Sequence, residues 1–432
     1  MRHPFVLMLV LALAACGRDS APAAPQDTKP PDWVAREWPL PSRVGAAQPD
    51  LVATRDGRVL LSWVSSVPGR RNALQFAALG DDGHWQSDAR TVVVGDALMA
   101  NWADVPHVMA TPDGALWIHW LQKAGGGGYA SDIALSRSVD GGFNWASPVK
   151  VNQDEVVAEH GFAALWPASR DTLGVAWLDG RNQASNDAAQ GHAHHDKAEG
   201  TMHDAGGRTE LRAAVFDRNL ARSGEAVVDA MTCDCCQTEL AITDKGPLLL
   251  YRDRSDAEIR DIAAVRFEDG SWSPPALVHA DGWHMTACPI NGPSVAAAGN
   301  TVVAAWFTAA GERPRVQLAR STDAGDSWSA PIVLDEGKAV QGRTAIALGE
   351  HQAWVLWVRE DGKAQSLWLS RRTPDLSREL QRLPLATLEG RGKATGFPQL
   401  AVHDGNAYVV WTDISDGAPH LRGAIVAPAT SG

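Results

Sequence analysis

The sequence lacks two features that would suggest particular partners. After the N-terminal segment, no apolar run is long enough for a helix to cross a bilayer. Positive charge is also in deficit, because 39 lysines and arginines stand against 51 aspartates and glutamates, a formal net charge of −12. An acidic chain has no bulk attraction for nucleic acid or anionic lipid. Nucleic-acid binding and membrane binding through surface charge are therefore not expected.

Residues 1–16 are predicted to be a targeting segment and not part of the fold. A polar start and an apolar stretch lead into Leu-Ala-Ala-Cys at residues 13–16, which resembles the bacterial lipobox. That resemblance implies a diacylated Cys16 as the mature N-terminus; an ordinary signal peptide cut nearby is the alternative. Residues 17–32, rich in Ala and Pro, are predicted to be a flexible tether. Gly17 resembles the outer-membrane sorting class, so we expect an outer-membrane lipoprotein facing the periplasm or the cell surface.

An aromatic residue closes a short apolar run seven times along the chain. The spacing is about 50 to 57 residues, with one longer gap of about 74. A repeat of this period built from short strands predicts an all-β chain forming a single β-propeller over residues 33–432. We expect seven four-stranded blades, with six as the alternative. The aromatic positions are Trp63, Trp120, Trp177, Tyr251, Trp306, Trp357 and Trp411.

The seventh unit ends after three strands, so the N-terminal segment is expected to complete it. Residues 38–41 (Trp-Pro-Leu-Pro) resemble the entry of other fourth strands, and closing the ring removes exposed strand edges. Two turns match Ser-x-Asp-x-Gly-x-x-Trp, at residues 138–145 and 321–328. They resemble the Asp-box (BNR) repeat of the sialidase superfamily. This is a fold signal more than a functional one, because Asp-boxes lie away from the sialidase active face.

In a four-stranded blade, successive connections alternate between the two faces of the ring. Loops that join the second and third strands therefore share a face with loops that join one blade to the next. Propeller ligands usually bind at such a face. We expect the loops of blades three to five to shape a mouth for a small-molecule, metal or glycan ligand, in a monomeric protein. The charged candidates on this face are Glu159, Asp179, Arg181, Arg252 and Arg343.

Four cysteines lie in two loops that enter the neighbouring fourth and fifth blades. With an adjacent histidine they form a soft ligand set suited to copper(I) or zinc. The predicted ligands are Cys233, Cys235, Cys236, His284 and Cys288, with His192, His194 and His195 from an insertion at residues 182–209. Two disulfides, or one disulfide beside a reactive or metal-binding pair, are the alternatives. The spacing Cys-x-Cys-Cys matches no standard zinc ribbon, and the insertion could be a solvated loop.

The sialidase resemblance implies a second hypothesis, an exo-sialidase-type glycoside hydrolase. Such enzymes grip a substrate carboxylate with three arginines and use a tyrosine nucleophile with acidic partners. Arg181, Arg252 and Arg343, with Asp179 and Glu159, are the candidates here. The chain has only 3 tyrosines, and Tyr251 occupies a packing position of the repeat. The expected Arg-Ile-Pro motif is not evident, so a non-catalytic propeller that binds a ligand is the preferred interpretation.

Overall fold

Seven four-stranded antiparallel sheets form the blades of a β-propeller. The computed structural model describes residues 32–429, except 55, 67–68, 81, 87, 126–127, 184–206 and 363. This confirms the prediction of seven blades and makes the six-bladed alternative wrong. Cys16, the predicted lipobox cysteine, and residues 17–31 of the predicted tether lie outside the described residues.

The first three blades run in chain order from the innermost to the outermost strand. Blade 1 comprises β2 (Ala46–Ala53), β3 (Val59–Ser65), β4 (Asn72–Leu79) and β5 (Arg90–Gly95). Blade 2 comprises β6 (Val108–Ala110), β7 (Leu116–Lys123), β8 (Ser131–Ser138) and β9 (Val149–Lys150). Blade 3 comprises β10 (His160–Pro167), β11 (Leu173–Asp179), β12 (Thr209–Phe216) and β13 (Arg222–Thr232).

The next three blades repeat this order. Blade 4 comprises β14 (Glu239–Thr243), β15 (Gly246–Arg252), β16 (Ile262–Glu268) and a divided outer strand, β17 (Ser271–Trp272) and β18 (Ala276–His279). Two prolines, Pro274 and Pro275, separate the halves because they cannot donate to the ladder. Blade 5 comprises β19 (Ser294–Ala298), β20 (Thr301–Thr308), β21 (Arg315–Ser321) and β22 (Ile332–Glu336). Blade 6 comprises β23 (Val340–Leu348), β24 (Ala353–Asp361), β25 (Ala364–Arg372) and β26 (Glu379–Leu388). Two 3-10 helices, Ala310–Glu312 and Gly392–Thr395, lie in loops.

Blade 7 joins the two ends of the chain. It comprises β27 (Gln399–His403), β28 (Asn406–Ser415), β29 (Ala418–Pro428) and β1 (Trp33–Glu37), which pairs antiparallel with β29. N-terminal closure is therefore confirmed, but the strand ends just before the predicted segment at residues 38–41. Pro39 and Pro41 lack amide donors, which explains why the ladder stops there. Trp38 instead packs in the core, stacked on Trp85 at 5.0 Å.

The repeated aromatic residues lie on the second strand of every blade and are all buried. Successive blades pack face to face, so each of these side chains fills the space between two sheets. Burial of such large rings supplies much of the apolar core. The seven positions are Trp63, Trp120, Trp177, Tyr251, Trp306, Trp357 and Trp411.

The two Ser-x-Asp-x-Gly-x-x-Trp turns join third and fourth strands, on the face opposite the blade-to-blade loops. In the first, the Ser138 hydroxyl donates to Asp140, which also accepts from the amide of Asn144 at 2.9 Å. The second repeats this network around Asp323. The same hydrogen bonds lower the pKa of Asp140 to about 2, led by the bond from the Asn144 amide. These contacts make the motif a turn-forming device.

In the part of the chain described by the structure, no helix has the length and apolarity needed to cross a membrane.

Candidate ligand-binding site on the loop face

The loop face is defined here as the face that carries the blade-to-blade loops and the loops between second and third strands. A cavity of about 310 Å³ occupies the centre of the ring. Its lining alternates apolar residues with Asp50, Asp104, His107 and Glu239 from the innermost strands and the loops before them. The cavity therefore offers acidic groups at the axis of the propeller.

Burial raises the pKa values of two carboxyl groups in this cavity, those of Asp104 and Glu239. Asp104 is 4 % exposed, and its Oδ2 accepts the amide of Phe162 at 2.6 Å while Oδ1 has no hydrogen-bond partner. Desolvation raises the pKa of Asp104 to about 7. Burial likewise raises the pKa of Glu239 to about 8. Both carboxyl groups therefore gain or lose a proton near neutral pH.

Glu159, a predicted catalytic carboxylate, belongs to this acidic group. Burial, followed by the charges of Asp104 and Asp234, raises its pKa to about 8. Its backbone carbonyl accepts the amide of Gly180 at 2.9 Å, which ties the entry to blade 3 to the loop after Trp177. Glu159 is thus bonded through its backbone to the loop after Trp177, and its carboxyl group is influenced by the charges of Asp104 and Asp234.

The four cysteines meet on the loop face and form what we call the thiol cluster: Cys233, Cys235, Cys236 and Cys288. Cys235 and Cys288 are joined by a disulfide with a Cα–Cα distance of 6.2 Å. Cys233 and Cys236 are free, buried thiols whose sulfurs lie 3.3 Å apart. Of the arrangements that the sequence left open, the structure adopts one disulfide beside a free pair.

Two buried arginines stand beside the free pair. Arg260 Nη1 donates to Cys233 Sγ at 3.2 Å and lies 3.4 Å from a carboxylate oxygen of Asp234. Burial raises the pKa of Cys236, but a hydrogen bond from Cys233, the charge of Arg252 and the Asn291 amide outweigh it and bring the value to about 7. Burial and the shared proton hold the pKa of Cys233 well above its usual range. Cys236 is therefore the thiolate of the pair.

His284, the predicted histidine ligand that the structure describes, does not lie with the sulfurs. His284 is exposed on the loop before Cys288, where its backbone bridges to Ile259. His192, His194 and His195 lie outside the described residues. Asp234 is the nearest additional donor, because its carboxylate, Cys233, Cys235 and Cys288 offer ligand atoms all within 4.8 Å of one another.

Arg252 lies near the thiol cluster, and its guanidinium donates hydrogen bonds to backbone carbonyls. It donates to Asn291 O at 2.7 and 3.0 Å, to Arg260 O at 2.7 Å and to Phe307 O at 2.8 Å. The side chain is 1 % exposed. These bonds hold the loops of blades 4 and 5 together. Arg252 therefore positions these loops and does not present its guanidinium to a ligand.

Arg343 lies against the aromatic pair Trp102 and Phe397 at the mouth of the cavity. Its Nη1 donates to the carbonyls of Gly392 and Gly396, both at 2.9 Å. Burial lowers the pKa of this arginine to about 10. Its backbone φ of 50° is in the left-handed region, which is uncommon for a residue other than glycine.

Arg181 and Asp179 form an ion-pair network at the base of the insertion. The guanidinium contacts Asp179 at 2.7 Å, Asp154 at 3.0 Å and Glu225 at 3.2 Å. His160, fully buried, bonds Asp154 at 2.9 Å and lies 3.6 Å from Asp179. The three acceptors around Arg181 are protein carboxylates, so the network braces the loop after Trp177.

Tyr251 is packed between blades 3 and 4 in the cluster that contains Trp166 and three cysteines of the thiol cluster. Its hydroxyl donates to Asp229 at 2.5 Å. Burial, reinforced by that carboxylate, raises the pKa of the phenol above its usual range. The ring is fully buried, as expected for a packing residue.

The sequence places Arg260 on the loop face, in a predicted ion-pair network at the rim, but it does not predict the contact of Arg260 with Cys233. Sequence reasoning also missed the significance of one cysteine spacing. Cys233 and Cys236 are separated by two residues, and Cys-x-x-Cys is a spacing that lowers thiol pKa values. That spacing could have identified the free pair, because Cys235 within it then pairs with the distant Cys288. No comparable signal singles out Arg260 among the arginines of this loop.

No family model matches the sequence, and no curated protein matches it. Solved structures share the architecture at low identity. The polysaccharide lyase Uly1 superposes with a TM-score of 0.49 at 8% identity, covering 90% of this chain and 91% of that chain. The NanB sialidase from Streptococcus pneumoniae superposes with a TM-score of 0.45 at 12% identity, covering 88% of this chain and 68% of that chain. The α-L-arabinanase from Penicillium chrysogenum superposes with a TM-score of 0.43 at 11% identity, covering 91% of this chain and 97% of that chain. At this level of similarity the comparisons bear no argument about activity.

Proposed function

We propose that the protein is a binding propeller whose thiol cluster holds one soft metal ion, copper(I) or zinc, on the loop face. The observation that carries this proposal is the approach of the free thiols of Cys233 and Cys236 to 3.3 Å in a buried site. Thiolate sulfur is the ligand that copper(I) and zinc prefer. Reduction of the Cys235–Cys288 disulfide would add two further thiolates and complete the predicted cysteine set.

The spacing of the free sulfurs suits a bent coordination geometry. Zinc–sulfur bonds of about 2.3 Å at a tetrahedral angle place two sulfurs about 3.8 Å apart. The pair would have to open by about 0.5 Å, which side-chain rotation in a loop supplies. A disulfide between them would instead require the sulfurs to close to about 2 Å.

The charges around the cluster also favour bound thiolates. Several thiolates on one metal ion leave an excess of negative charge, which is costly to bury unless it is paired. Arg260 and Arg252 supply two buried positive charges beside Cys233 and Cys236. The positive charges of the two arginines would therefore offset the negative charge of a metal–thiolate complex.

Copper(I) titration tests the proposal. Reduced, anaerobic protein should remove one equivalent of copper(I) per chain from a coloured chelator complex. Cys233→Ser and Cys236→Ser should each lower the retained copper several-fold, because each removes one of the paired sulfurs. Cys16→Ser, which changes a cysteine outside the cluster, is the matched control. Equal retention by all four proteins would contradict the proposal.

Hydrolysis of a sialoside has weaker support from the site. The guanidiniums of Arg181 and Arg252 are bonded to protein carboxylates and carbonyls, and Tyr251 is buried. Release of a fluorophore from a fluorogenic sialoside, lost on Arg343→Ala, would favour that alternative. We further propose that lipidation at Cys16 anchors a monomer outside the cytoplasm, which mass analysis of the membrane-extracted protein would test.

A further inference from the structure

The sulfurs of the thiol cluster form a continuous row from the rim to the interior. Cys288 is partly exposed, its disulfide partner Cys235 is 8 % exposed, and Cys233 and Cys236 are each 1 % exposed. Cys233 Sγ lies 4.0 Å from Cys235 Sγ and 3.3 Å from Cys236 Sγ. A buried dithiol is thus in near contact with a disulfide whose other end reaches the surface.

We propose that the thiol cluster is a thiol–disulfide exchange site, which passes two electrons from Cys233 and Cys236 to a disulfide of a polypeptide at the rim. Exchange proceeds by attack of a thiolate on a disulfide sulfur. The row supplies an attacking sulfur, an electrophilic sulfur and a leaving sulfur in order. Arg260, 3.2 Å from Cys233 Sγ, stabilises negative charge on the attacking atom.

The internal steps conserve electrons. The Cys233 thiol passes its proton to the Cys236 thiolate across their 3.3 Å contact and attacks Cys235 Sγ. The Cys233–Cys235 bond forms, and the electron pair of the broken Cys235–Cys288 bond leaves on Cys288. Cys236 then loses the proton, attacks Cys233 Sγ and releases Cys235 as a thiolate, and the proton is taken up by the pair of Cys235 and Cys288. One disulfide, one thiol and one thiolate are present before and after, so no outside oxidant is needed.

The external step moves the electrons out of the protein. The Cys288 thiolate at the rim attacks a disulfide of the substrate polypeptide and forms a mixed disulfide. Cys235 resolves it, which releases the second substrate sulfur. The substrate disulfide is reduced to a dithiol, and the protein ends with two disulfides, Cys233–Cys236 and Cys235–Cys288. A soluble disulfide could not reach the buried pair without this relay.

Disulfide mapping after trypsin digestion separates the isomers. Cys233, Cys235 and Cys236 all fall in the tryptic peptide 223–245, whereas Cys288 falls in peptide 267–315. The Cys235–Cys288 disulfide therefore cross-links two peptides, and Cys233–Cys236 closes a loop within one. Metal-free full-length protein is incubated, quenched with acid, alkylated and digested. It should contain both forms at one disulfide per chain, with Cys288 alkylated wherever the internal disulfide is found.

Incubation with excess insulin as the polypeptide disulfide should then convert the chains to the two-disulfide form, with one insulin disulfide reduced per chain. Cys233→Ser should keep the cross-link, leave Cys288 unalkylated and reduce no insulin. If peptide 223–245 of the unmodified chain never carries an internal disulfide, or if insulin stays oxidised, the exchange proposal is wrong. Because the protein is metal-free, failure of the metal proposal would leave this result unchanged, and the reverse also holds.

Discussion

Replacing Asp104 with asparagine should change how the stability of the propeller depends on pH. The carboxyl group is buried, one oxygen has no hydrogen-bond partner, and burial raises its pKa from 3.8 to about 7. The folded state therefore keeps a proton that the unfolded chain has lost between about pH 4 and pH 7. The contribution of Asp104 to the stability of the unmodified protein should fall as pH rises through this window and level off above it.

The magnitude follows from the size of the shift. A displacement of about 3 pKa units corresponds to about 4 kcal/mol at about 1.4 kcal/mol per unit, which is an upper bound. Asp104 titrates together with Glu159, so we expect about 2 kcal/mol. Asp104→Asn keeps an acceptor oxygen for the Phe162 amide and does not titrate. Relative to the unmodified protein, the unfolding free energy of Asp104→Asn should therefore increase by about 2 kcal/mol as the pH rises from 4 to 8.

Urea unfolding followed by tryptophan fluorescence at pH values from 4 to 8 provides the measurement. Asp96→Asn is the matched control, because the Asp96 side chain is 80% exposed and its replacement should leave the profile unchanged. If the Asp104→Asn profile runs parallel to that of the unmodified protein across the window, burial of a protonated Asp104 is the wrong description.

Other substitutions test the packing around the site. Gly161→Ala should destabilise the fold by about 1–3 kcal/mol in thermal unfolding, because the new methyl group would overlap the buried Asp104 carboxylate. Gly95→Ala is the control and should be neutral, because the atom nearest to its new methyl group is 3.9 Å away. Arg252→Met should cost about 3 kcal/mol or more in urea unfolding, because it leaves buried carbonyls without donors, whereas Arg218→Met, at an arginine 69% exposed, should cost little. Tyr251→Phe should cost about 1 kcal/mol in the same assay and leave copper retention unchanged; a large loss of copper would contradict its role as a packing residue.

The repeat made the ring predictable, because a packing residue such as Trp306 must recur wherever one sheet meets the next. The alternation of connections then placed residues as distant as Cys236 and Cys288 on one face without any knowledge of their contacts. The exact closing strand was less predictable, since the Trp-x-x-Pro pattern at Trp38 marks where the ladder ends and β1 lies just before it.

The pairing within the site could not be read from the sequence. Whether Arg252 faces a ligand or three carbonyls depends on the paths of the loops around Asn291 and Phe307, which the repeat does not constrain. The choice of Cys235 as the partner of Cys288 depends in the same way on side-chain direction within one short loop. Loop geometry of this kind is set by tertiary contacts between blades, so the sequence repeat does not predict it.

X-ray absorption at the copper edge of the reduced, copper(I)-loaded protein tests the central proposal most directly, because it counts the atoms bound to the metal. The proposal predicts a first shell made of at least two sulfurs in the unmodified chain, reduced by one sulfur in Cys236→Ser. A shell of nitrogen and oxygen alone, or one that the substitution leaves unchanged, would show that the thiol cluster does not hold the metal.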